Sequence, residues 1–360
     1  MKIIIDNHIP YIKGAFENSA NVSYLSYSEM KMETLRDADA LIVRTRTKCN
    51  EQLLAGSKVK FIASATIGYD HIDGTYCDNS GIKWTNAPGC NAVSVAQYMA
   101  SALCFLAQKR DLDLRNMTIG IVGVGAVGSK IEQLAQSFGM QTLLNDPPRA
   151  RMEGDLNFVT LKEIAEKSDI ITFHTLLNRS GIDRTYHLAD ESFFNSLKHK
   201  PIIINASRGE VIETNALKEA MKRGKISDVV LDCWENEPEI DRELLNNVAI
   251  ATPHIAGYSA DGKANAAMQS VHSVSRFFNL GLDDWLPNEL PDGFEGNFSE
   301  YAIADFFLKT YDIVSESNLL KSSPETFEKQ RSKYPFRREP KAYRGNCPNG
   351  FEEKFDVFFR

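Results

Sequence analysis

Three side chains in this 360-residue chain have types suited to moving a proton and a hydride, and each follows an apolar run. Oxidising a hydroxyl needs a base for the O–H proton while hydride leaves the carbon. Imidazole has the right titration range for that base, which points to His254 after the run at 249–251. A carboxylate beside it favours the imidazolium that forms, and Glu237 follows the run at 229–232. A guanidinium grips a substrate carboxylate with two parallel hydrogen bonds, and Arg208 follows the run at 201–205. Residue type and position alone do not single these out. Histidines are more often structural than catalytic. Glu237 stands among Glu235 and Glu239, and such runs are usually solvated faces. Arg208 would serve equally well as a cap or a bridge.

A second chemical feature is the stretch 117–146, MTIGIVGVGAVGSKIEQLAQSFGMQTLLND. An apolar run enters Gly123-Val124-Gly125-Ala126-Val127-Gly128, an amphipathic segment follows, and a second apolar run ends at Asp146. Strand, glycine turn, helix, strand and acid in that order form a dinucleotide site. Gly123 allows the tight turn, Gly125 lets the backbone approach a pyrophosphate, and Gly128 lets the helix lie close to the sheet. The helix N-terminus offers unpaired N–H groups to phosphate. Asp146 accepts from ribose hydroxyls and repels a 2′-phosphate, so NAD is expected over NADP.

The elements that must hold these residues alternate. Strands are expected at 3–5, 40–43, 61–65 and 83–86, then at 119–124, 142–144, 170–174, 201–205, 229–232 and 249–251. Helices are expected at 28–36, 50–55, 91–110, 161–166, 190–196, 215–223 and 260–280. The helix at 91–110 reads as a bridge between domains. The alternation predicts two parallel sheets covered on both faces, with ligands beyond the strands' carboxyl ends. Two such sites facing each other would form a cleft. The helix at 260–280 returns to the first domain, and the Gly-, Pro-, Asn- and Asp-rich stretch 281–297 reads as a linker. Beyond it, Ile303, Phe306, Phe307, Tyr311 and Val314 make an apolar helical stripe, expected to be covered at least in part by a second subunit. A net charge of −7 excludes a general nucleic-acid binder. Six scattered cysteines without a C-x-x-C pair suggest neither a metal site nor disulfides, and fit a reducing cytosol. No apolar stretch is long enough for a membrane span, and the N-terminal run is too short for a signal peptide.

The chain resembles the D-2-hydroxyacid dehydrogenases. The likeness rests on GVGAVG at 123–128, INASRGEVIETNAL at 204–217, DVVLDCWENEPE at 228–239 and PHIAGYS at 253–259. It implies a Rossmann NAD-binding domain at 94–258. It also implies a flavodoxin-like substrate (lid) domain at 1–93, completed by 259–282, and a small C-terminal α+β dimerisation domain at 286–360. It assigns Arg208 to orienting the substrate, Glu237 to the glutamate partner and His254 to the acid–base. It puts Asp146, Thr175, Ala206, Ser207, Arg208, Asp232 and Gly257 at the cofactor. VRTRTK at 43–48, SATIGYDHID at 64–73, APGCNAVSVAQY at 87–98 and FHTLLN at 173–178 resemble the branch that oxidises a phosphorylated 2-hydroxy acid for pyridoxal phosphate synthesis. That likeness puts Thr45, Thr66 and Tyr258 at the substrate and implies a cytoplasmic homodimer with NAD. Leu176 departs from the usual proline, and Thr45 replaces the usual serine while keeping a hydroxyl.

A phosphate on the substrate needs a cation. Arg44 and Arg46 flank Thr45, and in an extended segment they would share a face. The basic residues Arg337, Arg338 and Arg344 would add a contact from the partner subunit. The rival readings are a relative acting on 3-phosphoglycerate, glyoxylate or hydroxypyruvate, and a dinucleotide-sensing binding protein of the same fold.

Overall fold

The computed structural model describes residues 1–287, 289–293, 295–298 and 301–359. Asn288 and Phe294 of the linker reading lie outside the described residues, as do Ser299, Glu300 and Arg360 of the C-terminal unit. The chain forms two compact units, Met1–Asn91 with Ser259–Pro291 and Ala92–Tyr258 with Asp292–Arg360.

The first unit carries strands β1 (Lys2–Asp6), β2 (Asn21–Leu25), β3 (Ala40–Val43), β4 (Phe61–Ser64) and β5 (Lys83–Thr85). They form one parallel sheet in the order β2-β1-β3-β4-β5. Ile3, Ile4 and Ile5 are all fully buried, which is why their continuous apolar run makes a strand covered on both faces. β2 escapes a reading by hydrophobicity: its sequence NVSYL is polar at two of five positions and nowhere fully buried, as befits a sheet edge. The helix Ala260–Phe278 lies on this sheet, with Ala266, Ala267, Val271 and Val274 packed among Ile3, Ile42 and Ala63.

The second unit carries β6 (Thr118–Val122), β7 (Gln141–Asn145), β8 (Ile170–Phe173), β9 (Ile202–Asn205), β10 (Asp228–Leu231) and β11 (Ile250–Ala251), ordered β11-β10-β9-β8-β6-β7. All of its pairings are parallel. The order reverses between β6 and β8, so the ligand crevice of such a sheet opens where the glycine turn leaves β6. The helix Ala92–Arg110 belongs to this unit. Val95, Tyr98, Met99, Leu103 and Leu106 pack against Ile119, Ile121, Ile204 and Val230, and most of the helix is buried nearly all round.

The C-terminal stripe finds its cover in its own chain. Phe306 and Phe307 are fully buried and Tyr311 nearly so. The Phe307 carbonyl accepts from Ser101 Oγ at 3.1 Å, and the Tyr311 ring lies tilted with its centroid 6.0 Å from that of Tyr98. Phe351, Phe355 and Phe358 complete an aromatic cluster around Phe307, which Phe138 of the dinucleotide half joins. Phe306, Phe307 and Tyr311 are thus covered within the chain, while Ile303 and Val314 of the stripe are half-buried. The named elements described between 301 and 359 are helices and 3-10 turns, where an α+β fold was expected; the apolar residues here recur at helical spacing. Phe307→Ala should cost about 3–5 kcal/mol in urea unfolding, the usual range for emptying a buried aromatic site. A loss below about 1 kcal/mol, or a midpoint that rises with protein concentration, would return this face to a subunit interface.

Candidate active site

The glycine turn has the geometry its sequence requires. Gly123 has φ +87°, and a Cβ there would sit 2.8 Å from the backbone of His174 and Thr175. A Cβ on Gly128 would lie 2.0 Å from the Gly123 carbonyl oxygen. A Cβ on Gly125 meets nothing within 4 Å, so an open cradle lies in front of the N-terminus of the helix Ala126–Ser137. Asp146 locks this turn to β7: its carboxylate accepts from Val124 N at 2.8 Å and Arg149 N at 3.0 Å. Arg149 in turn donates to the Val124 carbonyl at 2.6 Å. At the end of β8, Thr175 Oγ1 and His174 Nδ1 are buried without hydrogen-bond partners. Burial holds the His174 ring neutral, pushing it down to about 3. An open cradle at a helix N-terminus, a carboxylate at the end of β7 and unsatisfied buried polar atoms together fit a dinucleotide.

The loops after β9, β10 and β11 meet around Asp232. This buried carboxylate accepts from Thr252 Oγ1 at 2.7 Å, Ile255 N at 2.8 Å and Ala256 N at 2.9 Å. Its own carbonyl accepts from His254 N at 2.8 Å. Burial pushes the Asp232 carboxyl above its usual range, with His254 and the three donors working the other way. Between these anchors His254 takes a left-handed backbone, φ +57°, and Asn236 beside Glu237 does the same at +61°. Such conformations cost about 1–3 kcal/mol and persist where surrounding contacts impose them. The result is a pair: His254 Nδ1 lies 2.8 Å from Glu237 Oε2, while Glu237 Oε1 accepts from Trp234 N at 2.9 Å. Burial works to raise the Glu237 carboxyl; His254, Arg331 and the Trp234 amide outweigh it and hold the group below its ordinary value. Arg208 is brought alongside by Gly209, where a Cβ would lie 1.9 Å from the Trp234 backbone. Its guanidinium donates to the Ser207 carbonyl at 2.8 Å, and Ser207 is pinned to Asn205 Oδ1 through both N and Oγ. Arg208, Glu237 and His254 thus stand on three adjacent loops of one sheet edge.

Residues 96–256 match the family of D-isomer specific 2-hydroxyacid dehydrogenases, NAD binding domain. The chain is 56% identical over 346 residues to the erythronate-4-phosphate dehydrogenase of Bacteroides thetaiotaomicron, covering 95% of this chain and 98% of that one. The chain belongs to the erythronate-4-phosphate dehydrogenase family. The Porphyromonas gingivalis member of that family is 44% identical, over 95% of each chain. Among solved structures, the cofactor(NAD+)-bound 3-phosphoglycerate dehydrogenase of Entamoeba histolytica matches with TM-score 0.66 and 26% identity, over 81% of this chain and 99% of that one. The D-lactate dehydrogenase of Aquifex aeolicus, complexed with NAD and lactic acid, matches with TM-score 0.64 and 25% identity, over 81% of this chain and all of that one.

Two arginines take places in this family member that the sequence did not give. Arg337, expected to reach a partner's substrate, is buried in its own chain. Its guanidinium donates to the carbonyls of Ala256 at 2.6 Å, Tyr258 at 2.9 Å, Ser94 at 3.0 Å and Ile255 at 3.2 Å, and lies over the Tyr311 ring. It clamps the loop carrying Gly257 and Tyr258. Arg331 reaches Glu237 itself, with Nη1 3.8 Å from Oε2. Nothing local marks either residue, since both stand in a basic run that ordinarily reads as solvated. In the first unit, Thr47 N donates to the Arg44 carbonyl, so 44–47 is a turn and the shared face of an extended segment does not form. Arg44 pairs with buried Asp6 at 3.3 Å, and Arg46 lies over the Tyr27 ring at 5.6 Å. Thr66 Oγ1 shares a 2.8 Å hydrogen bond with Ser64 and donates to the Gly68 carbonyl, while Thr45 is exposed.

Gly125→Ala should leave the apo melting temperature within about 2 °C and weaken NADH binding at least tenfold, because its methyl occupies only the cradle. Gly128→Ala should lower both, because its methyl strikes the Gly123 carbonyl. Fluorescence titration and thermal melts read the two effects. Equal behaviour of the two variants would remove the cradle from the cofactor.

Proposed function

We propose that this chain catalyses the NAD-dependent oxidation of 4-phospho-D-erythronate to 2-oxo-3-hydroxy-4-phosphobutanoate, a step of pyridoxal 5′-phosphate synthesis. The observation that carries the reading is the 2.8 Å contact between His254 and Glu237, beside Arg208, in a chain 56% identical to an erythronate-4-phosphate dehydrogenase over nearly its whole length. Bound NAD supplies the hydride acceptor. Gly123, Gly125, Ala126, Val127 and Gly128 cradle its pyrophosphate, Asp146 takes its adenosine ribose, and Thr175, Ala206, Ser207, Asp232 and Gly257 line its nicotinamide half. Arg208 grips the substrate carboxylate and the reacting oxygen. His254 gives its Nδ1 hydrogen to Glu237, which leaves Nε2 to accept the hydroxyl proton as hydride departs. Glu237, held ionised, then stabilises the imidazolium. His254→Asn should lower kcat at least a hundredfold while NADH still binds, the contribution expected of a positioned acid–base group. Retained turnover would place the base elsewhere.

Thr45, Thr66 and Tyr258 complete the substrate contacts in this reading, and Arg44 and Arg46 meet the phosphate. Arg44→Ala and Arg46→Ala should each raise KM for 4-phosphoerythronate and hardly change the poor activity on erythronate. If both substrates suffer alike, the arginines support the fold and the phosphate is held elsewhere. A panel with 3-phosphoglycerate, glyoxylate and hydroxypyruvate, read as NADH absorbance in the appropriate direction, tests the substrate itself. The reading falls if any of them is turned over with a higher kcat/KM.

NAD should be strongly preferred over NADP, because a 2′-phosphate would face the Asp146 carboxylate. Asp146→Ala should narrow the ratio of kcat/KM for the two cofactors, and an unchanged ratio would take Asp146 off the ribose. The reaction belongs in the cytoplasm on this reading. All six cysteines are buried outside any disulfide, and among the described residues no helix is long and apolar enough to cross a membrane. Assembly as a homodimer rests on the family resemblance of the C-terminal residues, now without support from the covered stripe.

A further inference from the structure

Arg331 stands in the last turn of the short helix Phe327–Ser332, almost a hundred positions from Glu237 in the sequence, yet its guanidinium turns toward the acid–base pair. Nη1 lies 3.8 Å from Glu237 Oε2, the oxygen that also faces His254 Nδ1 at 2.8 Å. The same guanidinium hydrogen-bonds the Tyr258 side chain, four residues beyond His254. Its Nε is buried with no hydrogen-bond partner. A guanidinium placed for stability has its buried donors filled, as those of Arg337 are. Arg331 leaves its buried Nε unfilled. Its charge, which no accessible pH removes, is held 3.8 Å from a carboxylate already bonded to an imidazole.

We propose that Arg331 is a positioning residue for the acid–base pair: it shares the Glu237 carboxylate with His254, fixes the Tyr258 side chain, and so makes the C-terminal segment of the same chain set the pH range in which His254 works. This rests on the function proposed above and adds to it a residue from outside the dinucleotide fold. The other charged and titratable groups around the pair come from each neighbouring element. Asp232 and Cys233 precede Glu237 on its own loop, and the Cys233 Sγ, Glu237 carboxylate and His254 ring atoms lie within 4.8 Å of one another. Arg208 acts on Cys233 from the loop after β9, and Arg337 holds the carbonyl of Tyr258. Beside Pro238, Glu239 and Arg242 line a surface hollow with Glu325 and Glu328 of the C-terminal segment. Of these, Arg331 is the cation in contact with the carboxylate that His254 uses.

The sign of its effect follows from charge. In the oxidative direction His254 must be unprotonated, so activity rises with pH along an acid limb. A cation beside the pair disfavours the imidazolium and also keeps Glu237 ionised to lower pH. Removing it should raise the Glu237 midpoint and carry the acid limb upward.

The test compares Arg331→Met and Arg331→Lys with the unaltered full-length chain, by two readouts. One is the carboxyl 13C titration of Glu237 without substrate; the other is the pH–rate profile with 4-phosphoerythronate and NAD. Arg331→Met should raise the Glu237 midpoint and move the acid limb upward by about half a pH unit or more, with KM for NAD unchanged. Arg331→Lys should restore most of both shifts. An unmoved midpoint and limb, with kcat reduced alike in both variants, would make Arg331 a structural residue and overturn the proposal. Should the unaltered chain fail to oxidise 4-phosphoerythronate, the proposed function falls, while the carboxyl titration still decides the role of Arg331. Thermal melts and NADH binding of both variants confirm that the folded chain is being compared.

Discussion

The second unit depends on one buried charge. Asp232 stands at the carboxyl end of β10 with its carboxylate out of water, a position that is unfavourable for a charge unless donors surround it. Thr252, Ile255 and Ala256 are those donors, and all three belong to the segment that follows β11. Satisfying Asp232 therefore fixes that segment, and with it the left-handed backbone that His254 would not adopt freely. The imidazole then faces Glu237, whose other oxygen is tied to the Trp234 amide on the β10 loop. The loop after β9 is drawn in because Gly209 leaves no room for a side chain against Trp234. His254, Glu237 and Arg208 are thus set by contacts within the chain itself.

The C-terminal residues reinforce the same loop from another direction. Arg337 gathers the carbonyls of Ile255, Ala256 and Tyr258. Ile255 and Ala256 give their N–H groups to Asp232 and their C=O groups to Arg337, so this part of the loop is held from both sides of its backbone. Burying a guanidinium at this point is unfavourable unless its donors are filled. Carbonyl oxygens, Gln97 Oε1 and the Tyr311 ring fill them. The aromatic cluster around Phe307 holds the C-terminal residues in place on the helix Ala92–Arg110.

Much of this was legible from the sequence, for physical reasons that differ by element. Runs such as Ile3–5 and 202–204 can only be strands buried on both faces, so the sheets and the residues at their carboxyl ends follow from composition and order. The glycine turn is legible because backbone clashes at Gly123 and Gly128 admit no other residue. β2 is not, since an edge strand need not be apolar. The pairing of Arg331 with Glu237 is not either: the two are brought together by tertiary packing, and a basic run carries no mark of which member is buried. The expectation that Arg44 and Arg46 share a face failed because alternation holds only in extended backbone, and the chain turns there. For the stripe, the centre formed by Phe306 and Phe307 is covered by its own chain, which the sequence did not say, because periodicity marks an apolar face without naming what lies against it.

The central claim is that the buried Asp232 carboxylate holds His254 in its working position. The direct measurement is amide hydrogen exchange at Ile255 and Ala256 in the unaltered chain and in Asp232→Asn. An amide side chain keeps the volume but places an N–H against one of two backbone donors. Exchange at both amides should accelerate at least tenfold in the variant, with protection retained in β6 and β8. Unchanged exchange at Ile255 and Ala256 would show that the loop is held without Asp232 and would contradict the account.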